Sequence, residues 1–295
     1  MLKEITYEIT TLCGANCVMC ERKKHVHEYK SMTIDEILMY TQKAVEAGYN
    51  AIIMGGMGDP MLHPQIKDVL TTLKARYPDV SIRLTTTGQF LTEDNLETVC
   101  NCVDILKISN YGFTKKIYES VHRGSLVFED VQNNLERLAN YKGKKPNIIM
   151  SFLYMDINKS EVHDWIDYWT KKGFEEVNVW KCHNWGGHLN EREQLSEART
   201  YCERIRNRHF KVWVNGMVSV CTFDCEKRLL LGDLKNEDFA TINQKYETIK
   251  ELHDTGEVYN MRVDCGNCDQ IYSRDNALLY LNLDGKIMKN IIIKE

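Results

Sequence analysis

The chain has 295 residues and a mass of 34.4 kDa, and its 43% hydrophobic and 27% charged residues exclude disorder over the whole chain. No apolar run reaches the ~18 residues that a membrane helix needs, and residues 1–11 lack the apolar region of a secretory signal. We therefore expect a cytoplasmic protein with no membrane partner. A net charge of −4 argues against a nucleic-acid partner held by bulk charge.

The first two-thirds of the chain alternates strand-like and helix-like segments. Strands are predicted at residues 5–10, 51–56, 80–88, 104–110, 147–155 and 176–183. Helices are predicted at residues 33–47, 63–75, 93–99, 113–122, 128–140 and 161–172. Six such repeats with short connections predict an α/β fold, in which right-handed crossovers wind a parallel sheet into a partial (βα)6 TIM-like barrel. We assign this barrel to residues 1–190.

The pattern changes after residue 184. A loop is predicted at residues 185–188 and a helix at 195–207. Asn215-Gly216 separates two apolar runs, which is typical of a β-hairpin, and Asp284-Gly285 indicates a second hairpin at residues 278–293. We therefore predict a smaller, β-rich module that is also rich in cysteine over residues 191–295.

Eleven cysteines are unusual for a cytosolic chain, where close spacing of thiols more often indicates metal binding or catalysis than disulfides. Cys13, Cys17 and Cys20 form a C-x3-C-x2-C motif directly after the first predicted strand. Three thiolates on one short loop can hold three irons of a cubane cluster and leave the fourth iron open to an exogenous group. Two alternatives remain: a structural zinc site with His25 or His27 as fourth ligand, and three unrelated buried thiols.

This motif resembles the signature of the radical S-adenosylmethionine (SAM) superfamily, where it follows the first strand of a partial (βα)6 barrel. The resemblance implies that Cys13, Cys17 and Cys20 bind a [4Fe–4S] cluster whose open iron holds SAM. Met19 stands where the family usually has an aromatic residue, and the resemblance implies that this position offers backbone contacts to the adenine of SAM.

Two further motifs resemble those of the family at the ends of the second and third strands. In Gly56-Met57-Gly58-Asp59-Pro60, the resemblance implies that the glycines let the backbone approach SAM and that Asp59, in place of the usual Glu, binds its ammonium group. Thr86-Thr87-Gly88 resembles the family's T-N-G segment and implies further SAM contacts by the two threonines.

The resemblance extends to two positions further along the chain. Ser109 ends the fourth strand, where the family often has a serine near the methionine carboxylate. Arg123-Gly124 resembles an R-G pair whose arginine can bind that carboxylate by a charge-assisted contact. Each motif is common alone, and their order at the carboxyl ends of successive strands is what supports the resemblance, which covers about residues 5–183.

A second set of cysteines lies in the C-terminal module: Cys202, Cys221, Cys265 and Cys268. Four thiolates can close around one metal centre, and a zinc ribbon is one alternative. Their order resembles the auxiliary-cluster modules called twitch and SPASM, most closely the twitch of 2-deoxy-scyllo-inosamine dehydrogenases, which oxidise a secondary alcohol on a carbocyclic sugar. The resemblance implies one auxiliary [4Fe–4S] cluster, because a full SPASM module needs about twice as many cysteines.

The resemblance implies a radical SAM enzyme that cleaves SAM to a 5′-deoxyadenosyl radical, which takes a hydrogen atom from the substrate. We predict an oxidoreductase that oxidises a secondary alcohol of a small molecule, such as a sugar, a cyclitol or a nucleotide-linked sugar. A flavodoxin or ferredoxin would donate the electron. Modification of a peptide or protein, by epimerisation or crosslinking, is the alternative within the family. A non-catalytic zinc protein is the alternative outside it.

Several side chains are candidates for chemistry beyond the cofactors. Four residues at strand ends are candidates to accept the hydroxyl proton: Tyr154, Asp156, Lys181 and His183. His183 is the preferred one, because imidazole titrates near neutral pH. Cys225 lies four residues after Cys221 and is a candidate hydrogen-atom donor to a substrate radical, although a free cysteine is more often buried in packing.

Overall fold

A computed structural model describes residues 3–26, 28–174, 176–189, 202–261, 264–268 and 279–282. It confirms the predicted α/β class and shows an open, partial barrel in which parallel strands alternate with helices. The parallel strands of the barrel are β1 (Glu4–Tyr7), β2 (Ala51–Met54), β3 (Ser81–Thr86), β4 (Ile105–Ser109), β5 (Asn147–Tyr154) and β6 (Glu176–Lys181).

Apart from the first, short helix, the helices of this region cover the strands because each buries apolar side chains on one face. In α2, the buried Ile37, Tyr40 and Ala44 recur at helical spacing. The same helix begins with a capping box, in which Thr33 and Glu36 each accept a hydrogen bond from the other's backbone amide. The helices are α1 (Arg22–His25), α2 (Ile34–Glu46), α3 (Ile66–Arg76), α4 (Glu93–Cys102), α5 (Lys115–Val121), α6 (Phe128–Asn140) and α7 (Val162–Lys171).

The later part of the chain extends the same sheet at both edges. A strand pairs in parallel with β1 and forms the predicted hairpin around Asn215-Gly216, and a final strand pairs antiparallel with β6. The elements are α8 (Glu203–Arg206), β7 (Lys211–Val212), β8 (Met217–Ser219), β9 (Leu230–Asp233), α9 (Phe239–Asp254) and β10 (Leu279–Asn282).

The helix α9 was not predicted from the sequence. Phe239, Ile242 and Tyr246 recur at helical spacing and are buried, so the helical pattern was present in the sequence. Most of the predicted helix at residues 195–207, the rest of the hairpin at 278–293 and the boundary at residue 190 lie outside the described residues. The division into two domains therefore stays a prediction.

The parallel arrangement decides where a site can form. Because β1 to β6 run in the same direction, the loops that follow them meet at one edge of the sheet, where ligands bind in folds of this class. Within the described ranges, none of the helices is both long and apolar enough to cross a membrane.

Candidate active site

A cavity of about 370 Å³ lies at the carboxyl ends of the parallel strands. This volume is within the range of small-molecule sites. Most of the residues predicted from the sequence line it: Cys13, Cys17, Met19, Cys20, Gly56, Gly58, Asp59, Thr86, Thr87, Ser109 and His183. Segments that are up to 210 residues apart in the chain, from Cys13 to Phe223, therefore meet in one cavity.

The three cysteines of the first motif lie in the loop after β1, and all three are free, half-buried thiols. Burial raises the pKa of Cys13 to about 11 and also raises the pKa values of Cys17 and Cys20. Metal coordination therefore has to displace a proton from each sulfur. The alternative zinc ligand His25 does not line the cavity, and His27 lies outside the described residues.

His122, which the sequence analysis did not single out, contacts one of these sulfurs. Its Nδ1 lies 3.1 Å from Cys17 Sγ, and the ring is fully buried. Burial lowers the pKa of His122 to about 4, so the ring is neutral at neutral pH and carries one N–H. With that proton on Nδ1, His122 donates a hydrogen bond to the sulfur of Cys17.

The loop after β2 packs against the chain that leads into the cysteine motif, and only glycine fits there. A Cβ at Gly58 would lie 2.1 Å from the carbonyl oxygen of Thr10, while Gly56 has a φ of +142°. The amide of Met57 donates a hydrogen bond of 3.0 Å to Glu8 Oε1. Glu8 forms a buried ion pair of 3.2 Å with Lys211 of β7, so the later part of the chain supports this loop.

Asp59 joins the loop after β2 to the loop after β3. Its Oδ2 accepts hydrogen bonds from the hydroxyls of Thr86 and Thr87 and from the Thr87 amide, at 2.9 to 3.0 Å. Its Oδ1 accepts a bond from the amide of Met61. The carboxylate is thus already used within the protein, and a contact with the ammonium group of SAM would have to share or replace one of these bonds.

Trp185 connects the cysteine loop to the segment after β6. Its indole Nε1 donates to the carbonyl of Met19 at 2.9 Å, so the backbone at Met19 already has a partner. Its amide donates to His183 Nδ1 at 3.3 Å, which places the proton of a neutral His183 on Nε2. The ring centre of His183 lies 4.2 Å from that of Phe223, which also lines the cavity.

Two predicted site residues line neither this cavity nor the one that holds the second set of cysteines. Arg123 is exposed, with a φ of 51°, although its charge is near enough to Cys17 to favour the thiolate. Cys225 is only 3% exposed and belongs to a buried cluster with Met57 and Trp213. Both assignments stay predictions.

A second, smaller cavity gathers the other four predicted cysteines, Cys202, Cys221, Cys265 and Cys268. The helix α8, the strand β8 and the turn at Asp264–Asn267 bring them together. Across the residues that the structure describes, no three Cys, His, Asp or Glu side chains converge closely enough to hold a single metal ion. Cys265 nevertheless feels the charges of the other three thiols, which raise its pKa together with burial.

A buried histidine of α9, His253, also lines this second cavity. It is 8% exposed, and neither ring nitrogen has a hydrogen-bond partner among the described residues. Buried polar atoms are rarely left unpaired, because each costs free energy. A sulfur-rich group bound among the four cysteines would offer an acceptor to this ring. The residues of the second cavity therefore fit such a group.

The two cavities are neighbours. Arg204 and Phe223 line both of them, and the guanidinium carbon of Arg204 lies 4.6 Å from the centre of the Phe223 ring. Sequence reasoning missed both residues, and it also missed Lys107 and Trp180 of the first cavity. The strand period offered a signal for the last two, since each lies two residues before another lining residue, Ser109 or Cys182.

A profile of the Radical SAM superfamily matches residues 7–168 of this chain, which is more than half of it. The matched part includes the three-cysteine loop and the motifs that follow β2, β3 and β4. The chain belongs to the radical SAM superfamily. It is therefore an enzyme, and membership of this superfamily implies a [4Fe–4S] cluster and SAM.

Three known proteins show the range of similarity within the superfamily. A GTP 3′,8-cyclase of Clostridium perfringens is 29% identical over 181 residues, which are 56% of this chain and 52% of the cyclase. The chain spans about half the length of the curated relatives that it matches. The structure of BtrN in complex with AdoMet and 2-DOIA has a TM-score of 0.62 at 16% identity, covering 95% of this chain and 99% of BtrN. Streptococcus suis SuiB bound to precursor peptide SuiA has a TM-score of 0.68 at 13% identity, covering 92% and 70%.

Proposed function

We propose that this radical SAM enzyme oxidises a secondary alcohol of a small molecule of the sugar or cyclitol type. In this proposal an auxiliary [4Fe–4S] cluster, held by Cys202, Cys221, Cys265 and Cys268, accepts one electron. The observation that carries the proposal is the wall that Arg204 and Phe223 form between the two cavities. A substrate in the first cavity would be separated from the second by a single layer of side chains.

The residues that would hold the cofactors line the first cavity. Cys13, Cys17 and Cys20 would hold the cluster that binds SAM, and Gly56 and Gly58 let the loop after β2 pack closely beside the segment that leads into this motif. When bound, SAM and the two clusters supply the radical chemistry: hydrogen abstraction from the substrate carbon and removal of one further electron.

The protein must also remove the hydroxyl proton for a ketone to form, and His183 is our candidate to accept it. His183 lines the cavity, and its contact with the Trp185 amide is long, at 3.3 Å. Releasing that contact frees Nδ1 to accept a proton. Trp185 and Phe223 flank the His183 ring and would limit the access of water to the reacting atoms.

The similarity to BtrN supports a small-molecule substrate, because it extends over nearly the whole of both chains and because BtrN was solved with AdoMet and 2-DOIA. The similarity to SuiB with its precursor peptide favours peptide modification as a second candidate. Epimerisation of a peptide needs a hydrogen-atom donor, and Cys225 packs outside the cavity lining. We propose a cytoplasmic flavodoxin or ferredoxin as the electron donor for either reaction.

We expect the anaerobically reconstituted enzyme to convert a cyclitol or sugar alcohol to a ketone, with one 5′-deoxyadenosine released per ketone. Mass spectrometry of the product and quantification of 5′-deoxyadenosine by chromatography provide the measurement. The variant Cys102→Ala should give the same ratio of ketone to 5′-deoxyadenosine as the native enzyme, since Cys102 is a buried thiol of α4 that lines neither cavity. A product that has not lost two electrons would contradict the oxidation proposal.

Replacing His122 with Phe is expected to make the reduction potential of the SAM-binding cluster more negative. A hydrogen bond to a cluster thiolate favours the more negatively charged, reduced state, and Phe keeps the ring but removes the donor. A differential contribution of about 1 kcal/mol corresponds to a shift of about 40 mV, which redox titration followed by electron paramagnetic resonance can detect. Tyr118→Phe, which changes a neighbouring ring 4.4 Å away, is the control and should leave the potential unchanged.

A further inference from the structure

The first cavity carries an excess of positive charge. Among its described lining residues, the acidic and strongly basic side chains are Asp59, Lys107 and Arg204. The carboxylate of Asp59 is occupied by hydrogen bonds from Thr86, Thr87 and the Met61 amide. Two cations therefore face the cavity, and among the described lining residues no acidic side chain is available to pair with them.

The ammonium group of Lys107 makes a cation–π contact with an aromatic ring. Its Nζ lies 4.2 Å from the ring centre of Trp180, and no described carboxylate is close enough to form an ion pair with it. The charge of Glu176 raises the pKa of Lys107, and the Glu176 carboxylate oxygens accept hydrogen bonds from Asn147 and Asn178. Burial, with a contribution from Arg204, lowers the pKa of Lys107 to about 8, so most of it stays protonated at neutral pH.

Arg204 comes from the later part of the chain and lies on the short helix α8. Its guanidinium group lies over the Phe223 ring and makes one long contact of 3.5 Å with the Thr222 hydroxyl. Most of its five N–H donors have no partner among the described residues. Its charge is felt at Lys107, which places two like charges near each other in a partly enclosed site. An anion between them would offset this repulsion.

The backbone of Lys107 lies deeper in the barrel than the loops that would hold SAM. Lys107 precedes Ser109 by two residues on β4, which is about 7 Å along a strand towards the barrel interior. The cysteine motif and the G-x-G segment, in contrast, follow the carboxyl ends of β1 and β2. A group bound at Lys107 and Arg204 would thus lie apart from these loops.

We propose that the substrate carries an oxyanion, a carboxylate or a phosphate, which binds between Lys107 and Arg204. This inference rests on the proposed oxidation of a small molecule in this cavity and names the chemical class of that molecule. Arg204 offers a planar pair of donors and Lys107 a point charge, and both donate charge-assisted hydrogen bonds to an oxyanion. The hydroxyl-bearing carbon would then lie towards the cysteine loop.

Binding without turnover tests the proposal separately from the oxidation. Calorimetry would use the reconstituted enzyme with SAM and no reductant, and the probes would be inorganic phosphate, glucose 6-phosphate, glucuronate and glucose. We expect the anionic probes to bind and glucose to bind more weakly or not at all. Preference for glucose 6-phosphate or for glucuronate identifies the oxyanion as a phosphate or a carboxylate.

Lys107→Gln and Arg204→Gln should each weaken binding of the anionic probe by about ten- to hundredfold. Lys67→Gln, on the surface of α3, is the control and should have no effect. The proposal is overturned if glucose binds as well as the anions, if no anion binds at millimolar concentration, or if both variants bind the probe normally. It is also overturned if the variants weaken SAM binding instead, since the cations would then serve the SAM carboxylate. A failure to form a ketone would leave these binding results unaffected.

Discussion

Replacing Cys17 with alanine is expected to abolish SAM cleavage and to remove about half of the iron, from about eight to about four atoms per chain. Cys17 shares the first cavity with Cys13 and Cys20, so its loss would leave two thiolates on that loop. Two ligands on a short loop cannot hold a cluster that also leaves one iron open for SAM. Iron and sulfide analysis, together with a 5′-deoxyadenosine assay, provides the measurement.

The control for this variant is Cys100→Ala, a buried thiol of α4 that lines neither cavity. It should keep all of the iron and the full rate of SAM cleavage, apart from a modest loss of stability for a small core cavity. Full SAM cleavage by Cys17→Ala would show that the first cysteine motif does not hold the catalytic cluster. Stoichiometric zinc without iron in the native protein would favour the structural alternative instead.

The double variant Cys265→Ala/Cys268→Ala is expected to separate SAM cleavage from substrate oxidation. It removes two of the four thiols of the second cavity, so the iron content should fall to about four atoms per chain while the first cavity stays intact. SAM cleavage should continue, because the cysteines of the first motif are unchanged. Formation of the ketone should fall to background, because nothing nearby would take the second electron.

The ratio of ketone to 5′-deoxyadenosine is the decisive measurement for this double variant. We expect a ratio near one in the native enzyme and near zero in the variant. Circular dichroism controls for misfolding, since the turn that carries Cys265 packs against the segments Trp185–Gly187 and Glu257–Asn260. A variant that retained the native ratio would show that the second cavity takes no part in oxidation, and the auxiliary cluster would then lose its proposed role.

The buried pair of Glu8 and Lys211 explains why the two parts of the chain act on one site. Glu8 follows β1 and accepts a hydrogen bond from the amide of Met57. The ammonium group of Lys211, on β7, lies 3.5 Å from the ring centre of Trp213. Breaking a buried pair leaves an uncompensated charge, which is strongly destabilising. The glycine loop of the first cavity therefore depends on a strand that lies outside the part matched by the superfamily profile.

The sequence by itself determined the class of fold and the two sets of cysteines. Strand and helix periods are local, so β1 to β6 and most of the helices between them could be predicted to within a few residues. The first cysteine motif and the glycine segment are also local patterns. The helix α9 was not predicted, although Phe239, Ile242 and Tyr246 carried its period, and neither were the short elements α1 and β9.

The tertiary structure alone decided which side chains surround those cysteines. His122 meets Cys17 across 105 residues, Trp185 meets Met19 across 166, and Lys211 meets Glu8 across 203. No periodic pattern encodes such distant pairs, because they depend on how the crossovers bring the strand ends together. The charged pair of Lys107 and Arg204 depends on tertiary structure in the same way. Lys107 lies on a strand and Arg204 on a short helix, and they share one site only because the sheet and α8 bring them to the same cavity.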